Sequence, residues 1–264
     1  MAFKHITSRD NPVFKQLKKL ADNARERQRE GLTLLDGVHL IEAYLQVFGE
    51  PQLLIIPEGK SSLEATQLMQ QLQDVNTMML PTLMFAELTP VAFSTGILAL
   101  VKKPELTLPA SVNFALMLED IQDPGNMGSM LRTAAAAGVQ VVYLSKGCTD
   151  AWSPKALRGG QGAQFVLPVM EQADVLAVLS QFSGKRYAMT MQGTSLYAQD
   201  FTAPSLFVVG NEGAGLSQTV INAVEQSITI PMANAGSMAV ESLNVAAATA
   251  ICLFECQRQR MEKA

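Results

Sequence analysis

Asn126, Arg132, Glu212, Ser242 and Asn244 bring carboxamides, one guanidinium, one carboxylate and one hydroxyl into three loop-like stretches: DIQDPGNMGSMLRTA, VVGNEGAGLS and IPMANAGSMAVESLN. Carboxamides donate and accept at once, so Asn126 and Asn244 suit holding a substrate group or a neighbouring side chain in one orientation. Arg132 stands six residues past Asn126, on a predicted helix that continues through Ala134 to Ala137. That small-residue face permits close approach of another helix or a second subunit and leaves the guanidinium near the loop. Glu212 is central to a turn containing Gly210, Gly213 and Gly215, whose bare backbone N–H and C=O groups a flat ligand can approach. Ser242 and Asn244, with Glu241, open an otherwise apolar helix, where their simplest role is to cap the free N–H groups of its first turn.

Other chemistries are poorly supplied. His5 and His39 are the only histidines, and neither has a carboxylate or thiol partner placed for a triad or a metal site. Cys148, Cys252 and Cys256 show no metal-ligand spacing; the last two lie one helical turn apart, as core residues rather than a disulfide. The glycines of GNEGAG are not in the dinucleotide-binding order, and EGKSS is not a phosphate loop because Leu54 stands where the first glycine is required. The net charge of −4 argues against indiscriminate nucleic-acid binding, yet residues 1–30 carry eight Lys/Arg against four acids. Such an arm can meet phosphates or form a solvated helix face. No apolar run has the length of a membrane span, and MAFKHITSRDNPVFKQ lacks the look of a signal or transit segment, so a cytoplasmic protein is expected.

The elements that must position these residues fall into two α/β halves. From Asn11 to about Arg29 the apolar spacing predicts one helix; a strand and helix in GLTLLDGVHLIEAYLQ, a strand in PQLLIIP, a helix capped by Ser61 or Ser62, and a closing strand in TGILALVKKP follow. KKPELTLPASVN has two prolines and no periodicity, which makes it a linker, and the expected division is 1–106, a linker at 107–112, and 113–264. Beyond it, strands FALMLED, VQVVYLS, KRYAMTMQ, SLFVVGNE and QSITIPM alternate with helices, among them NMGSMLRTAAAAG, one from about Pro154, a long EQADVLAVLSQF and the last. Apolar strands joined by helices predict a mostly parallel sheet covered on both faces, with ligands at the strand C-termini.

The three stretches, in this order and at these strand ends, resemble the signature motifs of the SpoU-type (TrmH-like) RNA ribose 2′-O-methyltransferases of the SPOUT superfamily. DPGNMGSMLRTAAAAGV matches the first, VVGNEGAGLS the second and ITIPMANAGSMAVESLNVAAATAICLFE the third. The opening ITSRDNPVFKQLKKL with REGLTLLDGVHLIEAYL is similar to the L30e-like substrate-binding domain of these enzymes, with Asp36 where the family usually has Glu. The resemblance implies a C-terminal α/β domain tied in a deep trefoil knot, S-adenosylmethionine as cofactor, no metal, and a homodimer.

It further implies methyl transfer to a ribose 2′-hydroxyl of RNA, most simply 23S-type rRNA, with tRNA as the alternative. Such a hydroxyl must be aligned with the methyl carbon and relieved of its proton, and alignment alone can be worth roughly 7–11 kcal/mol. In the resemblance Arg132 is the proposed base; because a guanidinium stays charged, orienting a phosphate and stabilising charge is the alternative role. Asn126 and Asn244 hold the geometry, Glu212 anchors Arg132 or substrate, and Ser242 faces the transfer site. Gly210, Ile230, Met232 and Leu243 contact the cofactor, and Arg9, Lys15, Lys18, Lys155 and Arg158 the RNA. In SPKALRGGQGAQFVLPV relatives commonly have an Ala-Ser pair where this chain has Gly159 and Gly160, so no hydroxyl is available there. Two competing readings are an RNA-binding assembly protein that has lost catalysis, and a small-molecule α/β enzyme using the Gly-rich loops.

Overall fold

The computed structural model describes residues 3–59, 61–89, 95–233 and 242–262. The chain forms two compact units, Met1–Glu105 with Trp152–Phe165, and Leu106–Ala151 with Val166–Ala264. Residues 103–113 contain neither helix nor strand.

In the first unit β1 (Phe3–His5) precedes α1 (Pro12–Asp22), α2 (Ala24–Glu30), β2 (Leu32–Asp36), α3 (Val38–Phe48), β3 (Leu53–Pro57), α4 (Leu63–Gln71), β4 (Thr77–Leu80), α5 (Thr82–Ala86) and β5 (Leu98–Lys102). The sheet order is β1-β4-β3-β5-β2, with β1, β4 and β3 parallel and β5 antiparallel to both of its neighbours. The expected single helix over 11–29 is two. Asn23 ends α1 and its side chain accepts from Arg25 N, so a carboxamide competes with the helical bond and starts α2 instead. Ser62, not Ser61, caps α4. Phe14, Leu17 and Leu20 of α1 reach the core beside Leu34, Ile55 and Leu98. Arg27, counted above in the basic arm, is buried and donates to the carbonyls of Leu20 and Ala21.

The second unit runs β6 (Phe114–Leu118), α6 (Pro124–Ala136) and β7 (Val141–Ser145). The chain then contributes α7 (Pro154–Gly160) to the first unit before β8 (Val169–Ala173), α8 (Val175–Gln181), β9 (Lys185–Ser195), β10 (Ser205–Val209), α9 (Gln218–Asn222), β11 (Gln226–Thr229) and α10 (Val245–Met261). All neighbours in the order β11-β9-β10-β6-β7-β8 are parallel, as expected from the apolar runs. Central β6 and β10 are buried along their whole length, which FALML and SLFVV allow because no residue in either run is charged. Glu171 to Ala173, expected as the start of a long helix, belong to β8. Asp174 accepts from Ala177 N and delays the helix to Val175. Helix α10 packs on α6 and buries Thr249, Cys252, Leu253 and Cys256, a spacing that puts all four on one face. Burial pushes both thiols up to about 12, the behaviour of inert core cysteines.

Candidate active site

The direction of strand addition reverses at β6, whose neighbours are β7 and β10, and the loops leaving the carboxyl ends of β6 and β10 meet there. The loop after β6 turns at Asp120, which has a left-handed φ of 56°. Ser145, at the end of β7, braces it: its hydroxyl accepts from Asp120 N at 2.9 Å and donates to Asp120 Oδ1 at 2.6 Å. Gln122 Nε2 donates to the carbonyls of Asp120 and Gly147 at 3.1 and 2.7 Å. Asp123 then caps α6, accepting from Asn126 N at 2.8 Å, and Pro124 occupies the first turn where its missing N–H costs nothing.

The loop after β10 closes on this turn. Asn211 pairs with Gly215 through two backbone bonds, while its side chain accepts from Gly213 N and Ala214 N and donates to Asp120 O at 2.8 Å. A Cβ on Gly210 would lie 2.3 Å from the Gly215 carbonyl carbon, so glycine is required there by close backbone approach. Glu212 accepts from Gln122 N at 3.1 Å, Asp123 N at 3.0 Å and Asn126 Nδ2 at 3.2 Å. Burial pushes the Glu212 carboxyl up, but the N–H groups of Asp123, Gln122 and its own backbone, with the Asn126 amide, outweigh burial and hold it below its ordinary value. Glu119 tightens the same loop by accepting from Ser217 N and Oγ at 2.9 and 2.7 Å.

Asn244 completes the arrangement. It caps α10, its Oδ1 accepting from Ala246 N and Ala247 N, and its Nδ2 donates to Asn126 Oδ1 at 3.1 Å. Each carboxamide is thus oriented by its partners: Asn126 gives its amide to Glu212 and its carbonyl oxygen to Asn244. Asn126, Glu212 and Asn244, one from each motif stretch, form a continuous chain of hydrogen bonds.

The remaining candidates are placed differently. Arg132, a turn and a half beyond Asn126 on α6, is exposed and makes no hydrogen bond or ion pair with another described residue. The expectation that Glu212 anchors Arg132 is corrected, because that carboxylate is taken up by the Gln122–Asn126 turn. Ser242 is exposed and not the cap; Glu241 lies outside the described residues. Gly210 is buried at the end of β10, Ile230 and Met232 are half-buried after β11, and Leu243 is 37% exposed.

Among the RNA candidates, Arg9 pairs with Glu87 at 2.7 Å, Lys15 with Asp10 at 2.8 Å, and Lys18 with Asp22 at 3.0 Å and the Glu87 carbonyl at 2.9 Å. Lys155 is exposed on α7, and Arg158 lies 3.8 Å from Asp36. The Gln164 side chain fills the space a Cβ on Gly160 would need. Among the described residues, no three His, Cys, Asp or Glu are grouped to hold a metal ion, and no helix is long and apolar enough to cross a membrane. Gln122, Asp123, Asn211 and Ser145 escaped the sequence reading. Their partners are largely backbone N–H and C=O groups, which every residue type carries, so only the register of the turn could have marked them.

The SpoU rRNA Methylase family model matches residues 113–254, and the MRM3-like substrate binding domain model matches residues 11–99. The chain is 34% identical to an uncharacterized tRNA/rRNA methyltransferase of Synechocystis sp., covering 97% of this chain and 94% of that protein. It is 31% identical to a 23S rRNA (guanosine(2553)-2′-O)-methyltransferase of Bacillus subtilis, covering 95% and 98%. The SpoU methyltransferase AviRb of Streptomyces viridochromogenes, solved in complex with the cofactor AdoMet, superposes with a TM-score of 0.77 at 27% identity, covering 96% of this chain and 100% of that one.

Proposed function

The chain belongs to the SpoU rRNA Methylase family, and on that premise we propose that it transfers the methyl group of S-adenosylmethionine to a ribose 2′-hydroxyl of 23S-type ribosomal RNA. The observation that carries the reading is the hydrogen-bonded chain from Asn244 through Asn126 to Glu212, which ties the three motif stretches into one preorganised loop cluster. Preorganised dipoles of this kind accelerate reactions because they need no rearrangement as charge develops. The rRNA target is supported over tRNA by the Bacillus relative, which matches this chain over both halves.

The residues fit the cofactor. Gly210 brings backbone without a side chain to the carboxyl end of β10, where a flat ligand can approach closely, and Ile230, Met232 and Leu243 keep apolar surface partly open. When bound, S-adenosylmethionine supplies an electrophilic methyl group whose carrier leaves neutral. The protein's task lies on the acceptor side. Asn126 and Asn244, locked by their partners, hold the loop in which the ribose is aligned. Glu212 fixes that loop against α6. Arg132, charged and without a partner among the described residues, orients an RNA phosphate and stabilises the 2′-oxygen as its proton passes to solvent water.

The same reading assigns residues 1–106 to substrate binding and 113–264 to methyl transfer, except that Trp152–Phe165 folds with the first unit, and sets Arg9, Lys15, Lys18, Lys155 and Arg158 on RNA phosphates. It includes a cytoplasmic homodimer and a trefoil knot, whose path between Ala233 and Ser242 lies outside the described residues. Phe254, 46% exposed on the face of α10 opposite its buried stripe, is the apolar surface a second copy would cover. The test is transfer of labelled methyl from S-adenosylmethionine to RNA and ribosomal subunits from a strain lacking the gene, with the product mapped by resistance to alkali. One alkali-resistant site in large-subunit RNA, lost with Arg132→Ala, is expected. No incorporation into either substrate would leave an RNA-binding protein without catalysis.

A further inference from the structure

Asp36 ends β2 in the run LTLLD, where its side chain is completely buried. A carboxylate in such a place is rare unless paired. Thr89 donates its hydroxyl to Oδ2, and Arg158 Nη1 stands 3.8 Å from Oδ1. Arg158 belongs to the last turn of α7, and this helix is held on both sides. Before it, Thr33 Oγ1 donates to Trp152 O at 2.8 Å; after it, Phe165 packs edge-on against Tyr44 and Phe48. The helix therefore cannot slide, and what remains to be set is the direction of the Arg158 side chain, about a third of which faces solvent.

We infer that Asp36 is a positioning residue for RNA recognition: its buried carboxylate fixes the Arg158 guanidinium so that the remaining N–H groups face a backbone phosphate. A guanidinium has five donors in a planar fork, so one edge can face a carboxylate while another grips phosphate oxygens. Holding the fork in advance removes the rotamer entropy that an unanchored arginine loses on binding. Lys155, exposed one turn earlier on the same helix, adds charge beside it. The inference rests on the RNA methyltransferase reading, but its sign is its own. A carboxylate acting only as negative charge would repel RNA, and its neutralisation would improve binding; a positioning carboxylate makes neutralisation harmful.

The experiment compares full-length wild type with Asp36→Asn, Asp36→Glu, Arg158→Ala and the Asp36→Asn/Arg158→Ala double variant. The readouts are KM for large-subunit ribosomal RNA, kcat, affinity for S-adenosylmethionine by calorimetry, and the thermal midpoint. Asp36→Asn should raise KM for RNA about five- to tenfold with kcat and cofactor affinity unchanged, and the double variant should be no worse than Arg158→Ala. Asp36→Glu should restore the wild-type KM. An unchanged or lower KM in Asp36→Asn overturns the inference, as does a fall in kcat and thermal midpoint that Asp36→Glu shares. If wild type transfers no methyl group, the functional reading fails instead. The same variants compared by filter binding to that RNA then still decide whether Asp36 positions Arg158.

Discussion

Glu212 and Glu87 each gather donors from distant parts of the chain, and the donors differ in kind. Glu212 takes two backbone N–H groups and a carboxamide that is itself held by Asn244. Glu87 takes the guanidinium of Arg9, at the end of a long side chain in solvent, while its carbonyl takes the ammonium of half-buried Lys18. Backbone donors cannot leave without unfolding the turn, so the first cluster is a fixed frame. Exposed ion pairs are worth about 0.2–1 kcal/mol and exchange readily, so the second is a set of cations that can be handed to another anion. Geometry is needed where a hydroxyl must be aligned; exchangeability is needed where a polyanion lands.

Arg132 tests that contrast most strongly, because it stands on α6, six residues from Asn126, but is not part of the fixed frame. Arg132→Ala should lower kcat about 10²–10³-fold, the range for losing a group that stabilises developing charge. Its thermal midpoint should stay within a degree or so of wild type, since the side chain is exposed and holds no other described residue. A comparable loss of stability would place Arg132 inside the frame and erase the distinction.

Asn126→Asp attacks the frame directly. It sets a carboxylate against Glu212 Oε1, now 3.2 Å from an amide donor, while leaving size nearly unchanged. Like charges at that separation raise a carboxyl pKa, so activity at neutral pH should fall about 10- to 100-fold and recover in part as pH is lowered toward 5. Equal loss at all pH values would show that the amide donor, and not the added charge, is what matters.

The Glu212 bonds also set a pH limit on stability. Its carboxyl is held below its ordinary value of 4.5, so the stabilisation is present above that value and fades as pH falls through the folded-state one. Glu212→Gln should melt below wild type at neutral pH, and the gap in thermal midpoint should narrow as pH falls below 4.5 and through the lower folded-state value. A gap that persists in acid would assign the loss to shape rather than charge.

Much of the frame could be read in the residues, and the reasons for the gaps are physical. Apolar strands such as FALML and SLFVV announce a parallel sheet because both faces must be covered, and Ser-Leu-Asn before an Ala-rich helix marks a capped start. Strand order is another matter: β5 inserts between β3 and β2, a choice made by long-range pairing that leaves no local pattern. The break at Asn23 and the delayed start at Val175 turn on single side chains that outbid helical hydrogen bonds, against an apolar spacing that suits a helix on either side. At the site, Asn126 and Glu212 were visible in Gly-rich turns at strand ends and Asn244 as a polar residue among apolar neighbours. Their partners Gln122 and Asp123 were not, because their donors are backbone N–H groups.

The smallest effect belongs to the exchangeable cluster. Arg9→Gln removes one cation that already has a partner, so the native protein loses only an exposed pair and should melt almost as wild type does. If Arg9 passes from Glu87 to an RNA phosphate, the substitution removes one released counterion. The slope of log affinity against log salt should then fall by about 0.7–0.9, and affinity at low salt by only a few-fold. Glu87→Gln should do the reverse at low salt, freeing Arg9 in advance and strengthening binding slightly. Two variants on one ion pair with opposite signs are hard to obtain from a structural role, since breaking the pair from either side would then destabilise alike. Opposite shifts would mark the turn around Arg9, just before α1, as part of a landing surface, whereas no change in slope for Arg9→Gln would leave its charge merely solvated.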